Sequence, residues 1–247
     1  MPEPPPTPNA RMICKLDSIF PLSEEERQVL EHLPVLVKRL KADQEIVSLG
    51  ERPQQCCLVL EGLTCVYKLS YAGRRQIMAL HVPGDMPDLH SLHLAVMDIS
   101  IASVSSCTVG FIQHEDLRRV CERFPRLTAA FWRETLVDAS IYREWLLNVG
   151  QRDAYTRLAH LMCELYTRLS AVGLTDERTF ELPITQDELA DTLGISAVHV
   201  SRTLQALRGD GLIETARKRV TVPSWSKLQE AGEFDPLYLH LQGRHAA

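Results

Sequence analysis

The stretch from residue 185 to residue 213, TQDELADTLGISAVHVSRTLQALRGDGLI, decides the fold of the carboxy-terminal part of the chain. Thr185 is followed three residues later by Glu188, which is the spacing of a helix-capping box. Gly194 is expected to end this first helix, and Ser196 to begin a second one. Two short helices joined by a tight turn that contains glycine form a helix-turn-helix.

The second of these helices has one apolar side and one polar side. Val200, Leu204 and Leu207 recur at the i, i+4, i+7 spacing of a buried face. The other side has short side chains and arginines without any acid, namely Ala197, Val198, Ser201, Arg202, Gln205 and Arg208. A helix that enters the major groove of DNA needs small residues near the bases, and donors that reach base edges and phosphates. The pattern therefore predicts a recognition helix.

Arg202 is the predicted base-reading residue, because an arginine can donate two hydrogen bonds to guanine. Val198 offers only an apolar contact, for example with a thymine methyl group. Ser201, His199 and Thr185 are expected to contact the DNA backbone. The predicted DNA-binding residues are Thr185, Ser196, Ala197, Val198, His199, Ser201, Arg202, Gln205, Arg208, Lys218 and Arg219.

A basic wing is predicted directly after the two helices. The segments GDGLIE (209–214) and ARKRVTVPSW (216–225) combine a glycine turn with alternating residues, which is typical of a β-hairpin. This hairpin would carry Arg217, Lys218 and Arg219. Between residues 196 and 227 six Lys and Arg oppose two Asp and Glu, although the whole chain of 247 residues has a net charge of −5. A compact basic patch of this kind is the electrostatic footprint of a DNA-binding surface.

The amino-terminal half has a different periodicity. A short helix is predicted in PLSEEERQVLEHL, where Ser23 and Glu26 have capping-box spacing. Between about residues 36 and 111, turn residues separate the β-rich runs EIVSLG, CCLVLEG, TCVYKLS, QIMALHV and TVGFI. Short strands so closely spaced indicate an antiparallel sandwich or barrel.

A long helix is predicted from Arg126 to about Val149, and another from Arg152 to about Leu169. The long helix has two apolar stripes, one with Ala129, Trp132, Leu136, Ala139 and Leu146 and the other with Phe131, Tyr142, Trp145 and Val149. We expect one stripe to face its own β-domain and the other to face a second copy, the alternative being a helix buried within a single chain. The predicted dimerisation residues are Phe131, Trp132, Leu136, Ala139, Tyr142 and Leu146.

Composition excludes several classes of protein. No apolar run approaches the roughly 20 residues of a membrane span. The proline-rich start, MPEPPPTPNARM, lacks the apolar segment of a signal peptide, so we expect a cytoplasmic protein without a membrane partner. No Gly-rich phosphate loop, G-x-S-x-G elbow, H-E-x-x-H motif or paired-carboxylate constellation is present, and we therefore predict that the protein is not an enzyme.

The seven cysteines show no C-x-x-C spacing, and their odd number argues against a disulfide framework. Zinc or iron–sulfur ligation therefore has no support in the sequence. Reduced and mostly buried thiols are expected, with the adjacent Cys56 and Cys57 pointing to opposite faces of a strand.

The order of β-roll, long helix and winged helix-turn-helix resembles the Crp/Fnr family of bacterial transcription factors (cyclic-AMP receptor protein and fumarate-nitrate regulator). The resemblance runs from about Phe20 to Leu228. The matching segments are LVLEG (58–62), GRRQI (73–77), VPGD (82–85), TQDELADTLGIS (185–196) and VSRTLQALRGDGLI (200–213). It implies an α+β fold with an N-terminal antiparallel β-roll of the jelly-roll, cyclic-nucleotide-binding-like type, a long dimerisation helix and a C-terminal winged helix-turn-helix.

The resemblance also implies a homodimer on a palindromic promoter site in double-stranded DNA, and RNA polymerase as a further partner if the protein is an activator. The predicted domains are a flexible tail (1–12), a β-roll sensor domain with flanking helices (13–122), the dimerisation helix (123–150), the DNA-binding domain (151–228) and a C-terminal tail (229–247).

The sequence departs from the family pattern at the site for cyclic nucleotides. The family's cyclic-nucleotide binders have a Gly-Glu pair after the PGD turn and an Arg-Ser/Thr pair about ten residues later. Here Asp88-Leu89 and Ile99-Ser100 fall on those positions. Because Asp85 and Asp88 would repel a phosphodiester without an arginine to pair it, no cyclic nucleotide is expected.

Two other departures concern the cofactor and the operator. The family's oxygen sensors hold an iron–sulfur cluster through closely spaced amino-terminal cysteines, and only Cys14 lies near that end, so no cluster is expected. Many members have Arg-Glu after the serine of the recognition helix, where this chain has Ala197-Val198. Arg202 falls on the family's recognition arginine, so a different half-site is expected.

The sequence does not identify the signal to which the β-roll domain would respond. His90 and His93 in DLHSLHL (88–94) suggest haem or a metal, but a surface pair is the favoured interpretation, and no cofactor is predicted. Met86, Met97 and the cysteines leave redox or gas sensing as an alternative. The protein could also respond to a small effector, respond to a partner protein, or have no effector. A further alternative is that the helix-turn-helix is a protein-docking module and does not bind DNA.

Overall fold

The computed structural model describes residues 7–242, which form two compact units. Unit 1 contains the described residues up to Thr64 together with His81–Leu136. Unit 2 contains Cys65–Leu80 and the described residues from Val137 onward. None of the helices within 7–242 has the length and apolar character to cross a membrane.

Eight α-helices are present among the described residues. They are α1 (Ala10–Ile19), α2 (Glu24–Glu31), α3 (His114–Arg123), α4 (Pro125–Gln151), α5 (Ala154–Ala171), α6 (Gln186–Leu193), α7 (Ala197–Gly209) and α8 (Trp225–Ala231). The predicted capping box on α2 is confirmed, because Ser23 and Glu26 exchange hydrogen bonds with each other's backbone amides.

The strands are short, as the spacing of turn residues predicts. They are β1 (Leu36–Leu40), β2 (Glu45–Val47), β3 (Gln55–Glu61), β4 (Thr64–Leu69), β5 (Arg75–His81), β6 (Ser100–Ser103), β7 (Cys107–Gln113), β8 (Thr175–Asp176), β9 (Thr179–Glu181), β10 (Glu214–Ala216) and β11 (Arg219–Thr221). Six strand pairs are antiparallel, namely β1 with β7, β3 with β7, β2 with β6, β8 with β9, β9 with β11, and β10 with β11. The runs quoted above for β2, β3, β4, β5 and β7 are confirmed, whereas β1, β6, β8 and β9 were not individually predicted.

Unit 1 contains a three-stranded sheet in the order β1-β7-β3 and the pair of β2 with β6. Cys56 on β3 packs into the core that includes Leu58 and Ile112, whereas Cys57 packs with Cys107 on the other face. The prediction that the two adjacent cysteines point to opposite faces is therefore confirmed. Both thiols are buried, and burial raises their pKa values well above the usual range, so they are protonated.

The predicted amino-terminal tail is partly wrong. Helix α1 begins at Ala10, inside the segment 1–12 that we predicted to be flexible, and Met12 and Leu16 are buried in the core of unit 1. The prolines that suggested a tail stand before this helix, in residues that include 1–6, which lie outside the described residues. An apolar face at helical spacing, which begins at Met12, outweighs the composition of the segment.

A buried ion-pair cluster attaches α1 to the VPGD turn. Lys15 Nζ lies 3.0 Å from Asp85 Oδ1 and 3.6 Å from Glu134 Oε1, and all three side chains are buried. The backbone of α1 approaches so closely that a Cβ on Gly84 would lie 2.7 Å from the carbonyl oxygen of Arg11. Gly84 also has φ +104°, a conformation that favours glycine, so the turn and the helix require each other.

Unit 2 is built around α5, which contacts α6, α7 and α8. Strands β10, β11, β9 and β8 form a four-stranded sheet in that order. Residues 65–80, which contain all of β4 and β5 except Thr64 and His81, also belong to this unit, and the two strands are joined by a turn in which Gly73 has φ +75°.

The C-terminal tail predicted for residues 229–247 is wrong for its first part. Phe234 and Leu239 are buried, and the hydroxyl of Tyr238 donates a hydrogen bond of 2.8 Å to Glu164 Oε2 on α5. His160 on the same helix is hydrogen-bonded to the carbonyl of Gly232 at 3.0 Å. These apolar and polar contacts order the segment, whereas residues 243–247 lie outside the described part of the chain.

We expect Lys15→Ala to lower the free energy of unfolding by about 3–5 kcal/mol, because it leaves two buried carboxylates without their shared cation. Urea denaturation followed by circular dichroism measures this loss. Lys38→Ala is the control, since Lys38 is exposed on β1, and it should change the free energy of unfolding by less than about 0.5 kcal/mol. Equal effects of the two substitutions would contradict a structural role for the buried cluster.

Candidate nucleic-acid interface

The predicted helix-turn-helix is confirmed by α6 and α7. Thr185 Oγ1 accepts a hydrogen bond from the amide of Glu188, and Glu188 Oε2 accepts one from the amide of Thr185. Gly194 ends α6 with φ +67°, and Ser196 Oγ accepts a hydrogen bond from the amide of His199 to begin α7. Each boundary therefore lies where its capping residue predicts it.

The two sides of α7 differ as the sequence predicts. Val200 and Leu207 are fully buried, and Leu204 is half-buried. Thr203 is buried as well, because its hydroxyl donates to the carbonyl of His199 instead of facing solvent. The predicted DNA-facing residues lie on the accessible side: Val198, His199, Arg202, Gln205 and Arg208 are exposed, and Ala197 and Ser201 are half-buried.

An open depression of about 570 Å³ lies beside the amino-terminal half of α7. Ser196, Val198, His199 and Arg202 line one side of it, and the start of α5 lines the other. Arg202 therefore stands at the border of a concave surface next to the amino terminus of α7, where backbone amides favour anions such as the DNA phosphates. The amino terminus of α5 on the other side is already capped by the carboxylate of Asp153, which accepts a hydrogen bond from the amide of Thr156.

Some of the predicted contact residues already have structural roles. The hydroxyls of Thr185 and Ser196 are used in helix caps. Arg208 Nη1 donates to Thr215 Oγ1 on β10 at 2.9 Å, so this arginine connects α7 to the wing. Contacts of these three residues with DNA therefore depend on their remaining donors, and they stay predictions.

The wing has the predicted form. Strands β10 and β11 pair antiparallel, with Ala216 opposite Arg219, and Arg217 adopts φ +57° in the turn between them. Arg217, Lys218 and Arg219 are all exposed. The carbonyl of Lys218 accepts a hydrogen bond of 2.7 Å from the amide of Leu182, which holds the backbone of the turn while the basic side chains remain accessible.

Sequence reasoning missed Arg157, which joins three elements of unit 2. Its guanidinium donates to the carbonyls of Val149 at 2.9 Å and Arg152 at 2.8 Å, and also to the carbonyl of Leu193 at the end of α6. Carbonyls at helix ends lack partners within the helix, so a planar donor with several N–H groups is suited to collect them. The only signal in the sequence was an arginine close to the predicted joint at Gly150.

In unit 1, the loop that holds the phosphate in cyclic-nucleotide binders contains a buried acid. Asp88 Oδ1 accepts a hydrogen bond of 2.7 Å from the amide of Cys57, and Asp88 Oδ2 has no partner among the described residues. Burial raises the pKa of Asp88 to about 7. Ile99 is buried where binders have an arginine, and Asp85 is already paired with Lys15. This set of groups does not fit a phosphodiester, which needs donors and positive charge.

His90 and His93 line a pocket of about 330 Å³ in unit 1, together with Leu89, Leu92, Cys121, Thr128, Phe131, Trp132 and Thr135. Burial lowers the pKa of His90, which favours its neutral form. Within residues 7–242, no group of three or more His, Cys, Asp or Glu is arranged to hold a metal ion. Cys14, the cysteine nearest the amino terminus, is exposed.

The predicted dimerisation stripe on α4 is accessible except at one position. Trp132, Leu136 and Leu146 are 67%, 54% and 76% exposed, and Ala139 and Tyr142 are half-buried. Phe131 is only 4% exposed, because it packs in the core of unit 1. We therefore remove Phe131 from the predicted dimer surface.

Comparison with known families identifies two parts of the chain. The family model described as a Crp-like helix-turn-helix domain matches residues 156–231. The model described as a cyclic nucleotide-binding domain matches residues 37–124. The chain belongs to the Crp/Fnr family. It is a transcription regulator with a DNA-binding helix-turn-helix, and the regulators of this family are not enzymes.

Individual relatives of the Crp/Fnr family agree with this assignment. The chain is 27% identical over 214 residues to the transcriptional activator protein FnrL of Cereibacter sphaeroides, covering 85% of each chain. It is 23% identical over 218 residues to the fumarate and nitrate reduction regulatory protein of Vibrio cholerae, covering 88% of this chain and 87% of the relative. The fold is similar to that of FixK2 from Bradyrhizobium japonicum, with a TM-score of 0.73 and 22% identity over 81% of this chain and 98% of FixK2.

The buried carboxyl of Asp88 predicts a pH dependence of stability. Its pKa is raised from 3.8 to about 7 in the folded state, so the folded protein binds an extra proton between these values and loses stability as the pH rises through this window. In Asp88→Asn the amide oxygen can still accept the Cys57 hydrogen bond, but the group cannot ionise. We expect the variant to gain stability relative to the wild type when urea denaturation at pH 8 is compared with pH 5.

The matched control for this prediction is Asp176→Asn, which changes an exposed carboxylate on β8. Its stability relative to the wild type should be the same at both pH values. A pH-independent difference between the wild type and Asp88→Asn would mean that Asp88 is ionised in the folded protein.

Proposed function

We propose that this Crp/Fnr regulator binds a palindromic promoter site as a homodimer, with α7 of each copy in a major groove. The exposed, acid-free face of α7, flanked by the basic wing, is the observation that carries the proposal. The two-fold symmetry of a dimer would place the two recognition helices about 34 Å apart, one turn of DNA. If the protein is an activator, RNA polymerase is its second protein partner.

The expected contacts divide into two classes. Arg202 is placed to read a guanine, and Val198 and Ala197 present small apolar groups where many relatives have polar ones. Lys218 and Arg219 on the wing, together with the amide groups at the starts of α6 and α7, are expected to bind phosphates. The residues expected to read bases therefore lie near the start of α7. The groups expected to bind phosphates, and so to position the protein on the DNA, are spread over the surrounding elements.

The dimer surface is supported by the apolar stripe of α4. Trp132, Leu136 and Leu146 recur at spacings of four and ten residues, which keeps them on one side of a helix. Three large apolar side chains exposed along one helix are uncommon on a monomer and typical of a helix–helix interface.

We further propose that DNA binding does not require a cyclic nucleotide, because Asp88 and Ile99 occupy the positions where a phosphate would need donors. A second candidate is gating by a small effector in the pocket that contains His90 and His93. It is favoured by the volume of about 330 Å³ and by the aromatic side chains of Phe131 and Trp132 in the lining.

Selection of genomic fragments with the purified protein, at physiological salt and without ligand, tests the proposed function. A recovered palindrome is the expected result, and its affinity should not change when cyclic AMP or cyclic GMP is added. An empty selection that is rescued by either nucleotide would contradict the nucleotide-independent part of the proposal. An empty selection that is rescued only by a cell extract would favour the effector-gated candidate. An empty selection under all of these conditions, cell extract included, would contradict DNA binding itself.

Arg202→Ala should weaken binding to the recovered palindrome by about 1–3 kcal/mol per half-site and relax discrimination at one base pair. Lys218→Ala should instead weaken binding to all sequences uniformly and reduce the slope of log affinity against log salt by about 1 per half-site, which is about 2 on the palindrome. Fluorescence anisotropy at several salt concentrations measures both effects. Lys38→Ala, far from α7 in sequence, is the control and should change neither the affinity nor the salt slope. Unaltered specificity in Arg202→Ala would show that Arg202 does not read a base.

Leu146→Asp should convert the dimer into a folded monomer, because a charge placed in an apolar helix–helix interface is desolvated without a partner. Light scattering after size-exclusion chromatography measures the mass, and circular dichroism verifies folding. Leu49→Asp is the matched control, since Leu49 is 66% exposed but lies outside α4. A dimer that survives Leu146→Asp would place the interface elsewhere.

A further inference from the structure

The hairpin of β4 and β5 carries two side chains that reach the helix-turn-helix within unit 2. Arg75 Nε donates a hydrogen bond of 2.7 Å to Asp191 Oδ2 on α6, across 116 residues of sequence. Gln76 Nε2 donates to the carbonyl of Asp191 at 2.8 Å and to that of Thr192 at 3.3 Å. The guanidinium of Arg75 also lies 5.9 Å from the ring centre of Tyr67 on the neighbouring strand, which restricts its orientation.

These contacts concentrate on the last residues of α6. The final carbonyls of a helix have no partner within it and carry its partial negative charge. Gln76 donates to the carbonyls of Asp191 and Thr192, and Arg157 donates to the next one, that of Leu193. Three successive carbonyls are thus held by side chains from outside the helix-turn-helix.

The same side chains surround the turn that leads into α7. A Cβ placed on Gly194 would lie 3.6 Å from Gln76 Oε1 and 3.9 Å from Arg157 Nη1. Only Ile195 and the capping residue Ser196 separate this glycine from the first residue of α7. The direction of the recognition helix is therefore determined at a point that the hairpin touches directly.

We propose that Arg75, Gln76 and Asp191 form a positioning latch that fixes the turn before α7, so that a dimer presents its two recognition helices at the spacing of the operator half-sites. The proposal rests on the proposed function as a dimeric DNA-binding regulator. None of the three residues is expected to touch DNA, so they are positioning residues.

The latch is expected to affect the direction of α7 more than the free energy of unfolding. The side chains of Arg75 and Asp191 are 25% and 31% exposed, and ion pairs with that degree of exposure contribute little to global folding. A small change in the direction of α7 should lower the affinity for a full palindrome, because both recognition helices must fit their half-sites at the same time. It should hardly change the affinity for a single half-site, because one copy can adjust its orientation freely. The latch therefore predicts a loss that depends on the spacing of the DNA site.

The experiment compares the wild-type chain with Arg75→Ala, Asp191→Ala and the charge swap that combines Arg75→Asp with Asp191→Arg. Arg74→Ala is the matched control, because it removes the same charge from the neighbouring, exposed residue, whereas the hydrogen bond to Asp191 comes from Arg75. The DNA probes are the palindrome recovered by selection, the same palindrome with one base pair added or removed at its centre, and a single half-site.

We expect Arg75→Ala and Asp191→Ala to lose affinity for the native palindrome by about 2- to 30-fold, the range found for residues that couple distant elements. Their affinity for the single half-site should equal that of the wild type, and their preference for the native spacing should shrink. The charge swap should recover both properties. Identical behaviour of Arg75→Ala and Arg74→Ala, or tighter binding by Arg75→Ala, would overturn the latch.

Amide hydrogen exchange of residues 192–196, measured on all variants without DNA, separates the latch from the proposed function. If the wild type binds no palindrome, the proposed function is wrong, and the latch is judged by exchange alone. Faster exchange in Arg75→Ala and Asp191→Ala than in Arg74→Ala supports the latch. Equal protection in these variants overturns it.

Discussion

The guanidinium of Arg157 is the constraint on which the DNA-binding unit depends. It donates to carbonyls at the end of α4, at the joint before α5 and at the end of α6. Each of these groups would otherwise lack a partner in a partly buried place, where an unsatisfied carbonyl is costly. One rigid, planar donor therefore links the helix proposed for dimerisation to the first helix of the DNA-reading motif. A lysine could not replace it, because a point charge on a flexible stem cannot reach several carbonyls in fixed directions.

A second cation organises unit 1 in a comparable way. Lys15 neutralises Asp85 and Glu134 in the interior and thereby fixes α1 on the VPGD turn. Its presence changes the electrostatics of the loop that follows, because Asp85 is already paired and Asp88 is held by a backbone amide. The acidic side chains of this loop thus have their partners within the protein. No charge from a nucleotide is needed to neutralise this interior, which is consistent with the proposed independence from cyclic nucleotides.

The distribution of charge explains how an acidic protein can serve as a DNA-binding regulator. Net charge is −5 over the whole chain, but the recognition helix and wing expose Arg202, Arg217, Lys218 and Arg219 with few acids nearby. Screening limits the reach of exposed charges to about 8 Å at physiological salt, so distant acids have little effect at the surface of α7. The attraction of this surface for DNA therefore depends on the local basic residues and on the base contact proposed for Arg202, and the net charge of the whole chain contributes little.

The sequence by itself determined the helix-turn-helix, its capping residues, the wing and the two-faced long helix, because these depend on side chains a few residues apart. Capping at Thr185 and Ser196 and the positive φ of Gly194 are local interactions that a short segment specifies alone. Only the tertiary structure decided that Phe131 is buried while its neighbour Trp132 is exposed, that α1 joins the core, and that Arg75 meets Asp191. These outcomes depend on groups that are far apart in the sequence. Periodicity can show that a helix has an apolar side, but which distant surface covers that side is a property of the folded chain.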